Sequence, residues 1–280
     1  MTDKPKTSSK AGVQTRNQLR ARQAALEAER KRNQAILLTV GALAVLVIVI
    51  LVIVLSSRPA EAEVDLAALS KKLDGLTSGT TKDGQYPLIF PTLGNPDAPV
   101  RMEEISSFAC PACKSYHDQV ITNIFDKIKS GDLYYVYFPT TRTGDYTEAG
   151  KYLVTYAGYC AMQQNKFWQM HEVLFDWQGR YGAATPDRGR IQAGAEKLGM
   201  DMGKFNTCLD SKEAKDYVDA SDKYVSDIRK MASTPSIFIY EKGVQIKPPT
   251  QQSNTPDSLN SLSIAEIRGI IEKNSATKPS

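Results

Sequence analysis

No internal repeat and no glycine-rich loop of the kind that cradles phosphate occurs in these 280 residues. The first absence argues against solenoids and propellers, the second against a nucleotide-binding P-loop. Histidine is scarce. His117 and His171 are the only two, and both are read as helix-surface and packing residues rather than catalysts. Cysteine is sparse as well, and of the four only Cys110 and Cys113 lie close together. A structural zinc site of four thiolates usually shows a second close pair. Cys160 and Cys208 are too widely spaced to supply one, so no metal and no other cofactor is expected. Excess positive charge is missing from most of the chain. Residues 1–34 carry nine Lys and Arg against three acids, leaving 26 basic and 28 acidic residues elsewhere. The formal +4 therefore belongs to the N-terminal tail and gives no ground for nucleic-acid binding.

What the chain does have is one long apolar run. Residues 35–55 are 21 consecutive positions without a charge. At ~1.5 Å per residue they cover roughly the ~30 Å hydrocarbon core of a bilayer. The basic residues before the run, with Arg58 alone close behind, orient the N-terminus towards the cytoplasm. Ala60-Glu61-Ala62 resembles a signal-peptide cleavage site, but the preceding charged and apolar regions are both too long for one. The expected organisation is a cytoplasmic basic tail over 1–34, a single-pass anchor over 35–55 and an extracytoplasmic tether over 56–85. The tether is read as a short helix over 64–76 followed by a flexible Gly/Thr/Ser-rich joint over 77–84.

The chemistry is concentrated at Phe108-Ala109-Cys110-Pro111-Ala112-Cys113. A strand-like run over 100–108 precedes it. Cys113, Tyr116, Val120, Ile124 and Ile128 follow at helical spacing, which predicts a helix running to about Gly131. Pro111 suits the first turn, where its missing N–H costs nothing. A thiol at that helix start meets unpaired N–H groups and a partial positive charge, both of which favour the thiolate on Cys110. Cys113 is then placed to attack a mixed disulfide formed at Cys110. A structural disulfide or inert buried thiols is the plainer alternative.

The order of motifs resembles the DsbA-like branch of the thioredoxin superfamily, from about Tyr86 to the C-terminal helix. The pieces are Leu93-Gly94-Asn95-Pro96-Asp97-Ala98-Pro99-Val100, Glu104, Cys110-Pro111-Ala112-Cys113, Lys166-Phe167-Trp168-Gln169-Met170-His171, Cys208-Leu209, and Thr234-Pro235 before Ile237-Phe238-Ile239. The resemblance implies an α/β, thioredoxin-like fold over 86–276 with a helical insertion at about 145–231, here preceded by one transmembrane helix. It implies protein thiol–disulfide exchange, with Cys110 as nucleophile and Cys113 as resolving thiol. It also makes Glu104 a buried proton acceptor, against the alternative of a surface carboxylate beside Glu103, and Thr234-Pro235 a cis-proline loop facing the pair. Strongly oxidising relatives carry His where this chain has Ala112. Cys110 is therefore expected to be acidic, but less so than in those relatives. A helix dipole of ~2 kcal/mol alone moves a thiol from ~8.5 to about 7. The family often has Asp at the position of Ser107, which is left without a role.

Strands are expected over 86–90, 133–138, 236–240 and 244–246, the first at a sheet edge because of Pro87. Residues 212–231 read as one helix, and Ser263-Ile264-Ala265-Glu266 as a capping box opening a last helix. Outside the cytoplasm, Cys160 and Cys208 most simply pair with each other, with separate thiols or a second redox pair as alternatives. The expected function is introduction of disulfides into reduced exported proteins. The resemblance implies reoxidation by a quinone-linked membrane partner, DsbB-like or of the vitamin K epoxide reductase type. A reductase or isomerase of the same fold, and a tethered peptide-binding chaperone, are the competing readings.

Overall fold

The strand–helix–strand pattern around the cysteines organises a six-stranded sheet in a computed structural model of the chain. The structure describes residues 8–56, 62–82, 88–230, 233–246 and 263–275. Strand β3 (Val100–Ser106) and strand β4 (Leu133–Pro139) lie parallel, with Val100 opposite Leu133 and Ser106 opposite Pro139. Parallel partners need a crossover, and three helical pieces supply it: α3 (Pro111–Gln119), a 3-10 turn (Ile121–Ile124) and α4 (Phe125–Lys129). The single helix expected to Gly131 is thus broken at Val120. Thr122 Oγ1 bonds back to Asp118 O at 2.8 Å, and Asn123 Nδ2 to Gln119 O at 3.1 Å. Such side-chain bonds compete with helix continuation.

The other strands are antiparallel, in the order β1-β2-β4-β3-β5-β6. Strand β2 is Ile89–Leu93, later than expected, and it is not the edge. Strand β1 (Ser78–Lys82) covers it, pairing Thr80 with Pro91. This corrects the flexible joint over 77–84, of which 83–84 lie outside the described residues. Polar side chains made the segment read as a linker. An edge strand pairs through its backbone, however, and Thr80 and Thr81 are strand formers.

Residues 62–73 of the expected tether also fold onto the domain. Helix α2 (Leu66–Leu73), capped by Asp65, buries Leu69. Trp177 Nε1 donates to Glu63 O at 2.7 Å, Lys197 Nζ donates to Ala62 O, and Lys72 pairs with the buried Glu172.

Between β4 and β5 (Ser236–Glu241) comes a helical block, α5 (Glu148–Met162) to α9 (Lys212–Lys223), with α6 (Phe167–Tyr181), α7 (Arg188–Lys197) and α8 (Met202–Leu209) between. Helix α9 stops at Lys223 and passes into a π turn (Tyr224–Ile228), where a single helix to 231 was expected; residue 231 lies outside the described set. Cys160 on α5 and Cys208 on α8 are joined in a disulfide with Cα atoms 5.7 Å apart. Strand β6 (Val244–Gln245) completes the C-terminal hairpin. Ser263 and Glu266 exchange hydrogen bonds at the start of α10 (Ile264–Ser275).

Helix α1 (Ser8–Ser56) belongs to a unit of its own. Its stretch Arg20–Leu51 is long and apolar enough to cross a membrane, and none of its apolar window is buried in the protein.

Since Glu172 is almost wholly buried and Lys72 is the lysine paired with it, Lys72→Met should lower stability by about 1–3 kcal/mol by removing a charged hydrogen-bond donor from a buried carboxylate. A denaturant-melt midpoint equal to the parent's would contradict this.

Candidate active site

Strand β3 runs into Ser107 and then into α3, with Cys110 as N-cap and Pro111 as the first helical residue. Strand β5 lies antiparallel to β3, with Ser236 opposite Ile105. This register carries the two residues before β5, Thr234 and the cis-bonded Pro235, to the end of β3 where the cysteines stand. Cys110 Sγ lies 3.5 Å from Thr234 O, across 124 residues of sequence. Cys113 Sγ accepts from Ser107 N at 3.5 Å.

The two thiols are held differently. Cys110 keeps 7% exposure at the helix mouth, whereas Cys113 has none. The neighbouring Cys113 thiol donates to Cys110 and brings its pKa down to about 6 against the opposing effect of burial. The Thr234 side chain and the backbone N–H groups of Cys113 and Ala112 add to the lowering. This is below the value of about 7 expected from a helix dipole alone, and the extra donors account for it. Burial drives the Cys113 thiol the other way, well above its ordinary range, and the negative charge on Cys110 and Glu104 adds to that.

Glu103 and Glu104 project to opposite faces of β3, as alternation in a strand requires. Glu103 pairs with Arg101 and Arg229. Among the described residues no Lys or Arg pairs with Glu104, although it is as deeply buried. Tyr135 Oη donates to its Oε2 at 2.6 Å. Burial raises its pKa, with the Tyr135 and Ser106 hydroxyls opposing. Among the described residues its Oε1, together with Tyr116 Oη, is buried without a hydrogen-bond partner. Ser106 shares the Glu104 face of β3, and its hydroxyl acts on both Glu104 and Cys113. Among the described residues Glu104 is thus a buried acid without a cationic partner, beside a buried thiol.

His171 is buried on α6, as a packing residue is, whereas His117 on α3, expected at a helix surface, is buried as well. With Glu172 they form a cluster of metal-ligating type whose donor atoms lie within 4.8 Å. Lys72 pairs with Glu172 and places Nζ 3.4 Å from His117 Nε2, so a cation already closes the cluster. His117 Nε2 lies 3.1 Å and His171 Nδ1 3.3 Å from Glu172. Metal ligation through these nitrogens would put protons on His117 Nδ1 and His171 Nε2, both buried without acceptors. The cluster is thus better satisfied as a charge network.

Sequence reasoning missed the loop after β4, Thr140-Thr141-Arg142-Thr143-Gly144-Asp145. Ser107 Oγ donates to Thr143 O at 3.0 Å and accepts from Ala109 N at 3.2 Å. Thr143 Oγ1 bonds Thr234 Oγ1. Gly144 has φ +106, and a Cβ there would lie 2.3 Å from the Ala109 backbone, so only glycine fits. The available signal was position: loops at the carboxyl ends of parallel strands build sites in α/β sheets.

A thioredoxin family model matches residues 90–262. The chain belongs to the thioredoxin superfamily, in its DsbA-like branch. It is a thiol–disulfide oxidoreductase. Disulfide bond formation protein D of Bacillus subtilis is 26% identical over 167 residues, covering 55% of this chain and 69% of that protein. Among solved structures, α-DsbA1 of Wolbachia pipientis superposes with TM-score 0.53 at 18% identity, over 66% of this chain and 90% of the other. Oxidised BdbD of Bacillus subtilis gives 0.50 at 23%, over 66% and 92%. At these identities the structures establish the fold, and the DsbA-like chemistry of this chain is argued from its own thiols.

The pH dependence of that chemistry follows from Cys110. Alkylation of the reduced protein should rise through a midpoint near pH 6 and be flat above about pH 7.5. The depressed thiol stabilises the reduced fold above the unfolded value of ~8.5, and that contribution is lost as pH falls through about 6. Reduced protein should therefore lose its Tm advantage over Cys110→Ser between pH 8 and pH 5; parallel Tm curves would contradict the assignment.

Proposed function

We propose that the chain is a membrane-anchored, extracytoplasmic oxidase that introduces disulfides into exported proteins through Cys110 and Cys113. The observation that carries this reading is the unequal pair: a partly accessible, acidic Cys110 at a helix start, facing Thr234, and a sealed Cys113 behind it.

The exchange is balanced as follows. A substrate thiolate attacks Cys110 Sγ of the Cys110–Cys113 disulfide, forming a mixed disulfide and releasing Cys113 as thiolate. The released Cys113 thiolate, whose pKa burial raises, takes up a proton, and Glu104, its own pKa also raised by burial, is the neighbouring group that exchanges one with it. A second substrate thiolate attacks the substrate sulfur, and Cys110 leaves as the thiolate that its surroundings stabilise. Two electrons pass from the substrate dithiol to the protein. Stabilising the Cys110 thiolate stabilises the reduced protein, which makes the disulfide the better electron acceptor. This favours the oxidase direction. The Thr234 backbone, beside the mixed disulfide, offers an extended peptide strand-like pairing. Cys160–Cys208 serves as a structural bridge in the helical block.

Helix α1 supplies the anchor. Arg30, Lys31 and Arg32 before the apolar run orient its N-terminus inward and the domain outward. The electrons collected at Cys110 and Cys113 then pass to a membrane partner linked to quinone, of DsbB-like or vitamin K epoxide reductase type.

Three measurements test the reading. In cells, thiol trapping should find Cys110 and Cys113 mostly as a disulfide; a mostly reduced pair would assign the chain to reduction or isomerisation instead. Cys113→Ser should accumulate mixed disulfides with exported proteins, all lost in Cys110→Ser. Glu104→Gln should slow turnover on the order of 10²-fold, while alkylation of Cys110 changes little; unchanged turnover would remove Glu104 from the mechanism.

A further inference from the structure

Cys110 receives its sulfur-directed contacts from two places. One is its own helix, and the other is Thr234, whose backbone carbonyl lies 3.5 Å from Sγ. Thr234 does not stand alone, because its hydroxyl is bonded to that of Thr143. Resting on the reading of Cys110 as the nucleophile, we propose that Thr143 is a positioning residue for disulfide exchange, the outer donor of a hydroxyl pair that ends on the Cys110 sulfur.

The direction of the pair follows from proton count. Each threonine hydroxyl has one proton to give. In the thiolate state Cys110 can only accept, and the side chain of Thr234 is one of the groups that favour this state. With its proton on sulfur, Thr234 Oγ1 must receive from Thr143. A hydroxyl that is itself a hydrogen-bond acceptor is a stronger donor, so the two bonds reinforce each other. In the thiol state the order relaxes, since Cys110 Sγ–H can donate to Thr234 O. The Thr143 proton is therefore worth more when Cys110 is ionised than when it is protonated or bonded to sulfur.

Thr143 can act this way because its place is fixed from both sides. Upstream, Thr140 Oγ1 and Thr141 Oγ1 both donate to the Asp222 carboxylate on α9, and Thr141 N does so at 2.8 Å. Thr140 N donates to Ser106 O at 2.9 Å. Downstream, Gly144 lies flat on Ala109, and Asp145 N donates to Ala109 O at 3.0 Å. At the centre, the Thr143 carbonyl accepts from Ser107. The helical insertion thereby reaches the sulfur through Asp222, the 140–145 loop and Thr234. The ionisable groups that bear on Cys110 directly are Cys113, Glu104 and Tyr137, and none of them bonds to Thr143.

The test compares Thr143→Val, which keeps the shape and removes the donor, with Thr143→Ser, which keeps the donor. Both are made in the full chain in detergent, and thiolate absorbance, the equilibrium with glutathione and Tm are measured. Valine should move the Cys110 midpoint above its parent value of about 6. It should also shift the glutathione equilibrium about two- to tenfold towards the oxidised protein, the size of one hydrogen bond. Serine should stay near the parent in both. Should valine not fold, Thr143→Ala replaces it. Valine matching the parent, or serine and valine shifting equally, would overturn the proposal. A parent with no acidic thiol and no exchange would instead overturn the reading of Cys110.

Discussion

One sulfur atom at the mouth of α3 imposes conditions on most of the sheet. For Cys110 to be ionised while nearly buried, hydrogen bonds must replace the water that would otherwise solvate it. Its own helix supplies two backbone N–H groups, and Cys113 supplies its thiol proton. The remaining side has to come from elsewhere in the chain. The antiparallel pairing of β5 with β3 brings Thr234 and Pro235 there, since Ser236 opposite Ile105 leaves the two preceding residues level with the end of β3. A slip of one residue in that register would turn the β5 side chains to the wrong face and remove Thr234 from the sulfur. The buried run Ile237-Phe238-Ile239 is what holds the register.

Depth then separates the two thiols. The one on the surface side is made more acidic and the one beneath less so. Glu104 belongs to this division. Its neighbour Glu103, equally deep on the other face of β3, has Arg101 and Arg229 for company and is a structural ion. Glu104 has hydroxyls for neighbours, and burial raises its pKa. The same strand therefore carries an ion-paired carboxylate and one without a cationic partner among the described residues on adjacent positions.

Much of this was legible in the chain itself. Cys110-Pro111-Ala112-Cys113, the βαβ spacing and Thr234-Pro235 identified the site because the chemistry demands particular residue types at particular separations. Three parts were not. The 140–145 loop is polar and carries no periodicity, and its value lies in hydrogen bonds to residues about a hundred positions away or only placed by the fold. Residues 77–82 pair by backbone, which side-chain pattern does not report. His117 reads as a surface position from α3 alone, and only the docking of α6 and α2 makes it interior, where Glu172 and Lys72 meet it.

Two of these three omissions have a common cause, and it bears on how the site works. The 140–145 loop and the segment around Lys72 lie outside the βαβ unit and complete polar contacts with it, whereas β1 pairs, among the described residues, only with β2. Asp222 on α9 fixes the loop that holds Thr234, and Lys72 on α2 neutralises Glu172 beneath the active-site helix. A hydrophobic pattern finds their helices through Leu69, Tyr217 and Val218 but not these polar contacts. Each works by satisfying a buried polar group, which costs ~1–3 kcal/mol when left unpaired. A bare strand–helix–strand could present two cysteines at this spacing. Giving them different acidities needs groups that water cannot replace. Cys113 and Thr234 bring such groups to Cys110, and the helical block supports Thr234 through Asp222 and the 140–145 loop.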